Sequence, residues 1–199
     1  MSTTLPTLPT LEALSEGLHT DKNTDHSYFP EYERLLARHR HSAARVLEVG
    51  VQNGWSLLLW ERYFKSASVL GADISPSPDS IAGIPRIRHL RGDAYTPAFM
   101  RGVLAPALGT PDQRLDVIID DGPHTLESML FVAAHYPALL APGGLLVIED
   151  VQDIAWAQHI IAAFPADVRG SATTLDLRGV KGRYDDIMVV LDLSYASTF

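Results

Sequence analysis

The chain has 199 residues, 46% of them hydrophobic and 20% charged, with 24 acidic against 16 basic side chains, a net charge of −8 and no cysteine. That length suits one domain with a sizeable core. The composition excludes a disordered chain, disulfides, thiolate metal sites and a cysteine nucleophile, and with no basic patch it argues against a nucleic-acid partner.

Met1 to Pro9 carries no basic residue and no long apolar run, so no signal peptide is expected. No segment is apolar enough to span a bilayer. A soluble cytoplasmic protein with no membrane partner is the expectation. Residues 1–25 set prolines, threonines and serines around a short helical patch, Leu11 to Leu18. This predicts a loosely attached N-terminal arm, followed by a domain over residues 26–199. The arm ends in Thr20-Asp21-Lys22-Asn23-Thr24-Asp25-His26, too polar for core. Lys22 and His26 are candidates for a lid over a bound cofactor; the alternative is a solvated arm. Tyr28 to His39 predicts a helix with Pro30 in its first turn. Arg38-His39-Arg40-His41 reads as its solvated end rather than a metal-binding tag, because positive groups are favoured at a helix C-terminus.

Arg45 to Gly50 is a strand, Val51-Gln52-Asn53-Gly54 a turn, and Trp55 to Phe64 an apolar helix, with Trp55, Trp60 and Phe64 assigned to its core side. A dinucleotide fingerprint needs glycine where Gln52 stands, and the Walker lysine is absent. A turn with glycines only at its ends suits a ligand without a pyrophosphate, such as S-adenosylmethionine; alone it is also compatible with an ordinary tight turn. A second strand, Ser68 to Asp73, ends in an acid placed to accept from ribose hydroxyls. A third, Ile87 to Ala94, carries Asp93, placed to meet an adenine amino group if the strand order doubles back. Each aspartate alone could be a helix N-cap. Met100 to Leu108 predicts a helix and Gly109 to Arg114 a loop.

The stretch richest in chemistry is Ile118-Ile119-Asp120-Asp121-Gly122-Pro123-His124. Leu115 to Ile119 is short, β-branched and apolar, a buried strand. Open α/β sheets carry functional groups just past the last apolar residue of a strand. Alternation sends Asp120 to the side opposite Asp121, which makes it a cofactor-side group or a support for its neighbours. After a helix over Leu126 to Leu140, the turn Ala141-Pro142-Gly143-Gly144 leads to a strand, Leu145 to Ile148, that ends in Glu149-Asp150. If the two strands are neighbours their tips lie about 5 Å apart. Up to four carboxylates and the His124 imidazole then share one edge, which is costly unless a cation or proton neutralises them. A divalent metal with His124 beside it is the reading. All-oxygen ligands suit a hard cation such as Mg²⁺.

Ile154 to Phe164 predicts an amphipathic helix. Ala172 to Leu177 and Asp186 to Leu191 are strands, and the eight residues between them are too few for a crossover, so the pair should be an antiparallel hairpin. Arg183 and Tyr184 on that hairpin loop are candidates to reach the pocket.

The fold class expected is α/β, a Rossmann-like doubly wound sheet, mostly parallel with an antiparallel C-terminal hairpin strand. This layout resembles the class I S-adenosylmethionine-dependent methyltransferases. Glu48-Val49-Gly50-Val51-Gln52-Asn53-Gly54 resembles their first motif, Asp73 their ribose-binding acid, and Gly92-Asp93-Ala94 their adenine-contacting segment. Within that superfamily, Thr20-Asp21-Lys22 with a later histidine and tyrosine, Asp121-Gly122-Pro123-His124 and Glu149-Asp150 resemble the macrocin and mycinamicin sugar O-methyltransferases and their cephalosporin hydroxylase-like relatives. Pro123 stands where a serine is expected.

The resemblance implies Mg²⁺ held by Asp121, Glu149 and Asp150, with His124 as general base. It implies S-adenosylmethionine bound by Lys22, Glu48, Gly50, Gln52, Asn53, Gly54, Asp73, Asp93, Ala94 and Asp120. It also implies a small-molecule hydroxyl acceptor, on a glycosylated or polyhydroxylated secondary metabolite of the antibiotic kind. A catechol-type phenol would use the same metal logic. A non-methylating hydroxylase-like relative and a cofactor-binding partner without turnover are the competing classes. Members of the resembled family often form dimers or larger assemblies; the residues themselves leave the homo-oligomeric state open.

Overall fold

The computed structural model of the chain describes residues 8–110 and 112–195. Its centre is a seven-stranded sheet in the order β3-β2-β1-β4-β5-β7-β6. The strands are β1 (Arg45–Val49), β2 (Ser68–Asp73), β3 (Ile87–Arg91), β4 (Leu115–Asp120), β5 (Leu140–Ile148), β6 (Ala172–Asp176) and β7 (Ile187–Asp192). β1 to β5 pair in parallel, while β7 runs antiparallel to both β5 and β6. The strand order doubles back at β1 and the chain closes in an antiparallel hairpin, as the residue pattern predicts.

Helices cover both faces. They are α1 (Leu11–Leu14), α2 (Phe29–Leu36), α3 (Trp55–Tyr63), α4 (Pro97–Phe99), α5 (Ala105–Leu108), α6 (Leu126–His135), α7 (Ile154–Ala163) and α8 (Arg178–Lys181). Strand residues alternate between two cores, as a period of two requires. Val46, Val117, Ile119, Leu145 and Val147 pack towards α1, α2 and α3. Leu47, Val49, Ile118, Leu146 and Ile148 pack towards α6 and α7. The same alternation decides where the acids at the strand tips point.

Several boundaries shift for local reasons. The third strand stops at Arg91; Gly92, at φ +153, still donates to the Asp73 carbonyl at 2.8 Å and leads into the turn that carries Asp93. The helix before β4 begins at Pro97, capped by the Thr96 hydroxyl, and passes through a π-helical turn, Met100–Leu104. Ala141-Pro142-Gly143-Gly144 does not end the preceding segment before a separate strand. It lies inside β5, whose pairing with β4 slips between Leu115 and Val117.

Two expectations about charged segments are corrected. The Arg38–His41 stretch is not a solvated helix end: His39 and Arg40 are buried, and the Arg40 guanidinium lies 4.5 Å over the Tyr63 ring. Arg38 makes a two-pronged bond to Asp192, at 2.7 and 2.9 Å. The polar segment before α2 is not loosely attached either. Leu11, Thr20, Lys22 and His26 are all buried, and Lys181 ties the segment down by donating to the carbonyls of Asn23, Thr24 and His26. Residues 1–7 of the expected arm lie outside the described residues.

Candidate active site

β1 has β2 on one side and β4 on the other, so the sheet reverses direction of build there, and a crevice opens at the carboxyl ends of the strands. It forms a cavity of about 590 Å³, within the size range of ligand pockets. The walls are strand tips: residues 49–53 after β1, Ala72 to Ser75 after β2, Gly92 to Tyr95 after β3, and Asp121 to His124 after β4. His19, Thr20 and Asp21 close it from the N-terminal segment.

Gly50 is required by the crossing of two backbones. It has φ +90, and a Cβ there would overlap the Asp121 carbonyl. Asp73 holds the turn that follows, accepting from Val51 N–H at 2.8 Å and Gln52 N–H at 3.2 Å with one oxygen, and from Ser75 N–H at 2.8 Å with the other. Burial raises the Asp73 pKa, but the donated N–H groups of Ser75, Val51 and Gln52 outweigh it and leave the carboxyl below the usual range. Gln52, Asn53, Asp93 and Ala94 also line the cavity, and Asp93 accepts from Tyr95 N–H at 3.0 Å. Gly54 does not line it; with φ +77 it starts α3 and packs against Ile81 and Ser80.

Glu48 also stays off the cavity wall. It is fully buried, accepts from Ser56 Oγ at 2.5 Å and Trp60 Nε1 at 3.1 Å, and faces Lys22 Nζ at 3.5 Å. Burial, offset in part by Lys22, pushes its carboxyl up to about 7. Asp120 points to the opposite core. Its carboxylate is buried and accepts from Tyr95 Oη at 2.6 Å, and burial pushes it up to about 7. Asp120 therefore fastens Tyr95, which lines the cavity, and does not line it itself.

Asp121 and Asp150 converge beside the cavity. β4 and β5 are parallel neighbours; Asp121 N–H donates to Val49 O at 2.8 Å and Glu149 N–H to Asp120 O at 3.0 Å, which fixes both tips. His124 Nε2 lies 3.8 Å from Asp121 Oδ1 and 3.6 Å from Asp150 Oδ2. One donor atom each from Asp121, His124 and Asp150 falls within 4.8 Å of the others. Glu149 is turned to the other side, where it accepts from Lys22 Nζ and Tyr32 Oη. Asp150 Oδ1 accepts from Tyr28 Oη at 2.5 Å, and His26 Nδ1 stands 3.2 Å from it. Burial raises the Asp150 and Glu149 pKa values, and the negative Asp121 adds to it.

Among the described residues, the non-glycine residues with positive φ are Gln52, His124 and Asp150. All three sit at this edge. Such strain costs free energy and is held at functional sites by its surroundings. The two carboxylates, with the His124 imidazole beside them, are an oxygen donor set that fits a hard divalent cation.

Lys22 is placed differently from a lid over the cavity. It is 1% exposed and sits beneath the acids, 2.6 Å from Asp121 Oδ2. From the sequence alone no site role is assigned to Tyr28, Tyr32 or Tyr95. Tyr28 and Tyr32 carried a usable signal, two tyrosines four apart on a short helix that follows a polar segment. Trp55, assigned to the helix core, is half-buried and lines the cavity with His19, 5.1 Å away edge-on. Arg183 pairs with Asp185 at 3.0 Å, and Tyr184 is exposed, donating to Gln152 Oε1 at 2.8 Å; neither lines the cavity.

This sheet order, with its glycine turn, acid-ended strands and antiparallel close, is the class I methyltransferase fold. Within that class the chain is similar to sugar O-methyltransferases of antibiotic pathways, as its motifs imply. It is 35% identical over 156 residues to 8-demethyl-8-α-L-rhamnosyl tetracenomycin-C 2′-O-methyltransferase of Streptomyces olivaceus, covering 75% of this chain and 39% of that one. It is 33% identical over 187 residues to L-olivosyl-oleandolide 3-O-methyltransferase of Streptomyces antibioticus, covering 90% and 46%. Among solved structures it is similar to the MycE methyltransferase from the mycinamycin biosynthetic pathway in complex with Mg, SAH and mycinamycin VI. The TM-score there is 0.61, with 33% identity over 71% of this chain and 37% of that one. The chain thus spans less than half the length of the curated relatives it matches. No family model matches it. Among the described residues, no helix is long and apolar enough to cross a membrane.

Proposed function

We propose that the chain is a metal-dependent O-methyltransferase domain that moves a methyl group from S-adenosylmethionine to a hydroxyl of a small molecule, a sugar hydroxyl of a secondary metabolite. The observation that carries this reading is the adjacency of two features. A cavity lined by Gly50, Gln52, Asp73, Asp93 and Ala94 opens directly onto the cluster of Asp121, His124 and Asp150. The named activities of the similar proteins, and the Mg and SAH in the MycE complex, point the same way.

In this reading the cavity takes the cofactor. Asp73, kept ionised by its three N–H donors, offers its remaining acceptor capacity to ribose hydroxyls. Asp93 and Ala94 meet the adenine. Asp121 and Asp150 would hold Mg²⁺, with Glu149 behind them on Lys22 and Tyr32, and the ion would lower the pKa of an acceptor hydroxyl. His124 takes the hydroxyl proton at Nε2, the nitrogen that faces both aspartates. The strained φ of His124 and Asp150 keeps these groups on one side of the edge. The rest is proximity: an acceptor oxygen fixed beside His124 faces a methyl carried in the adjoining cavity.

The test is transfer of labelled methyl from S-adenosylmethionine to a panel of sugars, glycosylated metabolites and catechols, with Mg²⁺ present and after chelation. The expected result is Mg²⁺-dependent labelling of a sugar hydroxyl. Cofactor binding with no transfer to any member of the panel would overturn it.

A further inference from the structure

Asp121 divides its carboxylate between two neighbours. Oδ2 lies 2.6 Å from the Lys22 ammonium, while Oδ1 faces His124 at 3.8 Å. Lys22 also donates to Glu149 and stands 3.5 Å from Glu48. It is 1% exposed, and Glu48 and Glu149 are equally buried. Three carboxylates around one ammonium leave Lys22 no solvent and no alternative partner.

We propose that Lys22 is a resident counter-cation of the strand-tip carboxylates, and that a divalent ion must share Asp121 with it. This rests on the metal-site reading above. Without Lys22, the buried Glu48 and Glu149 would face the partly exposed Asp121 with no positive charge between them, an arrangement that buried acids do not sustain. With it, these acids stay assembled before any metal arrives. The same ammonium opposes an incoming cation, both by repulsion and by occupying one oxygen of Asp121. Lys22 is therefore a positioning residue that sets how tightly the site holds its ion. Tyr32, donating to the second oxygen of Glu149, holds that carboxylate towards Lys22.

The test is Mn²⁺ affinity by electron paramagnetic resonance, with thermal unfolding in the absence and presence of Mg²⁺. Lys22→Met keeps the unbranched apolar stem, one atom shorter, and removes the charge. The expected result is Mn²⁺ bound at least about fivefold more tightly, the effect of deleting one nearby unit charge. Metal-free Tm should fall, and Mg²⁺ should raise it by more than in the wild type. If Lys22→Met does not fold, Lys22→Met with Glu48→Gln removes one buried negative charge alongside the cation and serves for the same affinity measurement. In the wild-type protein, the Lys22 ammonium resonance should be protected from solvent exchange and should shift on Mg²⁺ titration. Unchanged or weaker Mn²⁺ binding in the variants, or an ammonium signal indifferent to Mg²⁺, overturns the proposal and leaves the metal site standing. A wild-type protein that takes up no Mn²⁺ overturns both.

Discussion

Tyr28 and Asp150 lie 122 residues apart in sequence and meet at one hydroxyl. The phenol donates to Asp150 Oδ1 at 2.5 Å and accepts from the Asp150 N–H at 3.3 Å. It thus grips both the side chain and the main chain of a residue held at φ +54. His26 stacks on the Tyr28 ring with centroids 4.7 Å apart, so the N-terminal segment braces the tip of β5 directly.

Tyr28→Phe removes both hydrogen bonds and leaves a buried carboxylate short of a donor. Stability should fall by about 1–3 kcal/mol, the cost of an unsatisfied buried polar group. Urea unfolding measures it; an unchanged midpoint would mean that the hydroxyl does not hold Asp150.

Gly50→Ala meets two obstacles at once. The backbone is left-handed, which costs a non-glycine residue roughly 1–2 kcal/mol, and the new methyl overlaps the Asp121 carbonyl. The expected loss is about 2–4 kcal/mol with overpacking included. Cofactor affinity should fall with it, because the turn from Gly50 to Asn53 lines the cavity.

Asp73 gives a pH signature. Its folded pKa lies below the ordinary value of 3.8. The unfolded chain therefore binds more protons between the two values, and stability rises with pH across that window. The stabilisation by the Asp73 charge is fully present above the ordinary value and lost as pH falls through the depressed one. Comparing wild type with Asp73→Asn by thermal unfolding, the gap should be constant from about pH 7 to pH 5 and close below about pH 4. A gap that widens in acid contradicts this.

His124→Ala separates binding from chemistry. His124 is a rim residue of the cavity and faces the aspartates. Calorimetry with S-adenosylmethionine should show near wild-type affinity, while turnover falls by about 10²–10⁴, the usual worth of a positioned base. An active variant removes His124 from that role.

The sheet was legible because its strands are short apolar runs that end in glycine or acid, and the final hairpin because eight residues cannot cross a sheet. Asp121, His124 and Asp150 were legible within a larger group that also held Asp120 and Glu149, because the acids come at or just past the ends of two buried strands and His124 closes the turn after the first. What stayed hidden was pairing across sequence distance. Lys22 is in a polar segment, and polarity normally marks surface. Its partners Asp121 and Glu149 lie 99 and 127 residues away, so nothing local shows that its charge answers theirs. Glu48 and Asp120 misled in the opposite direction. Each sits next to cavity-lining residues in sequence, yet strand alternation turns each side chain into a core, against Trp60 and Tyr95 respectively.

The proposed chemistry needs one hard cation where β4 and β5 end. Anomalous diffraction from a crystal grown with Mn²⁺ and S-adenosylhomocysteine tests it most directly. The predicted result is a single strong peak within coordination distance of Asp121 and Asp150, beside His124, with the nucleoside in the cavity between Asp73 and Asp93. A map with the nucleoside bound and no peak at those carboxylates would contradict it.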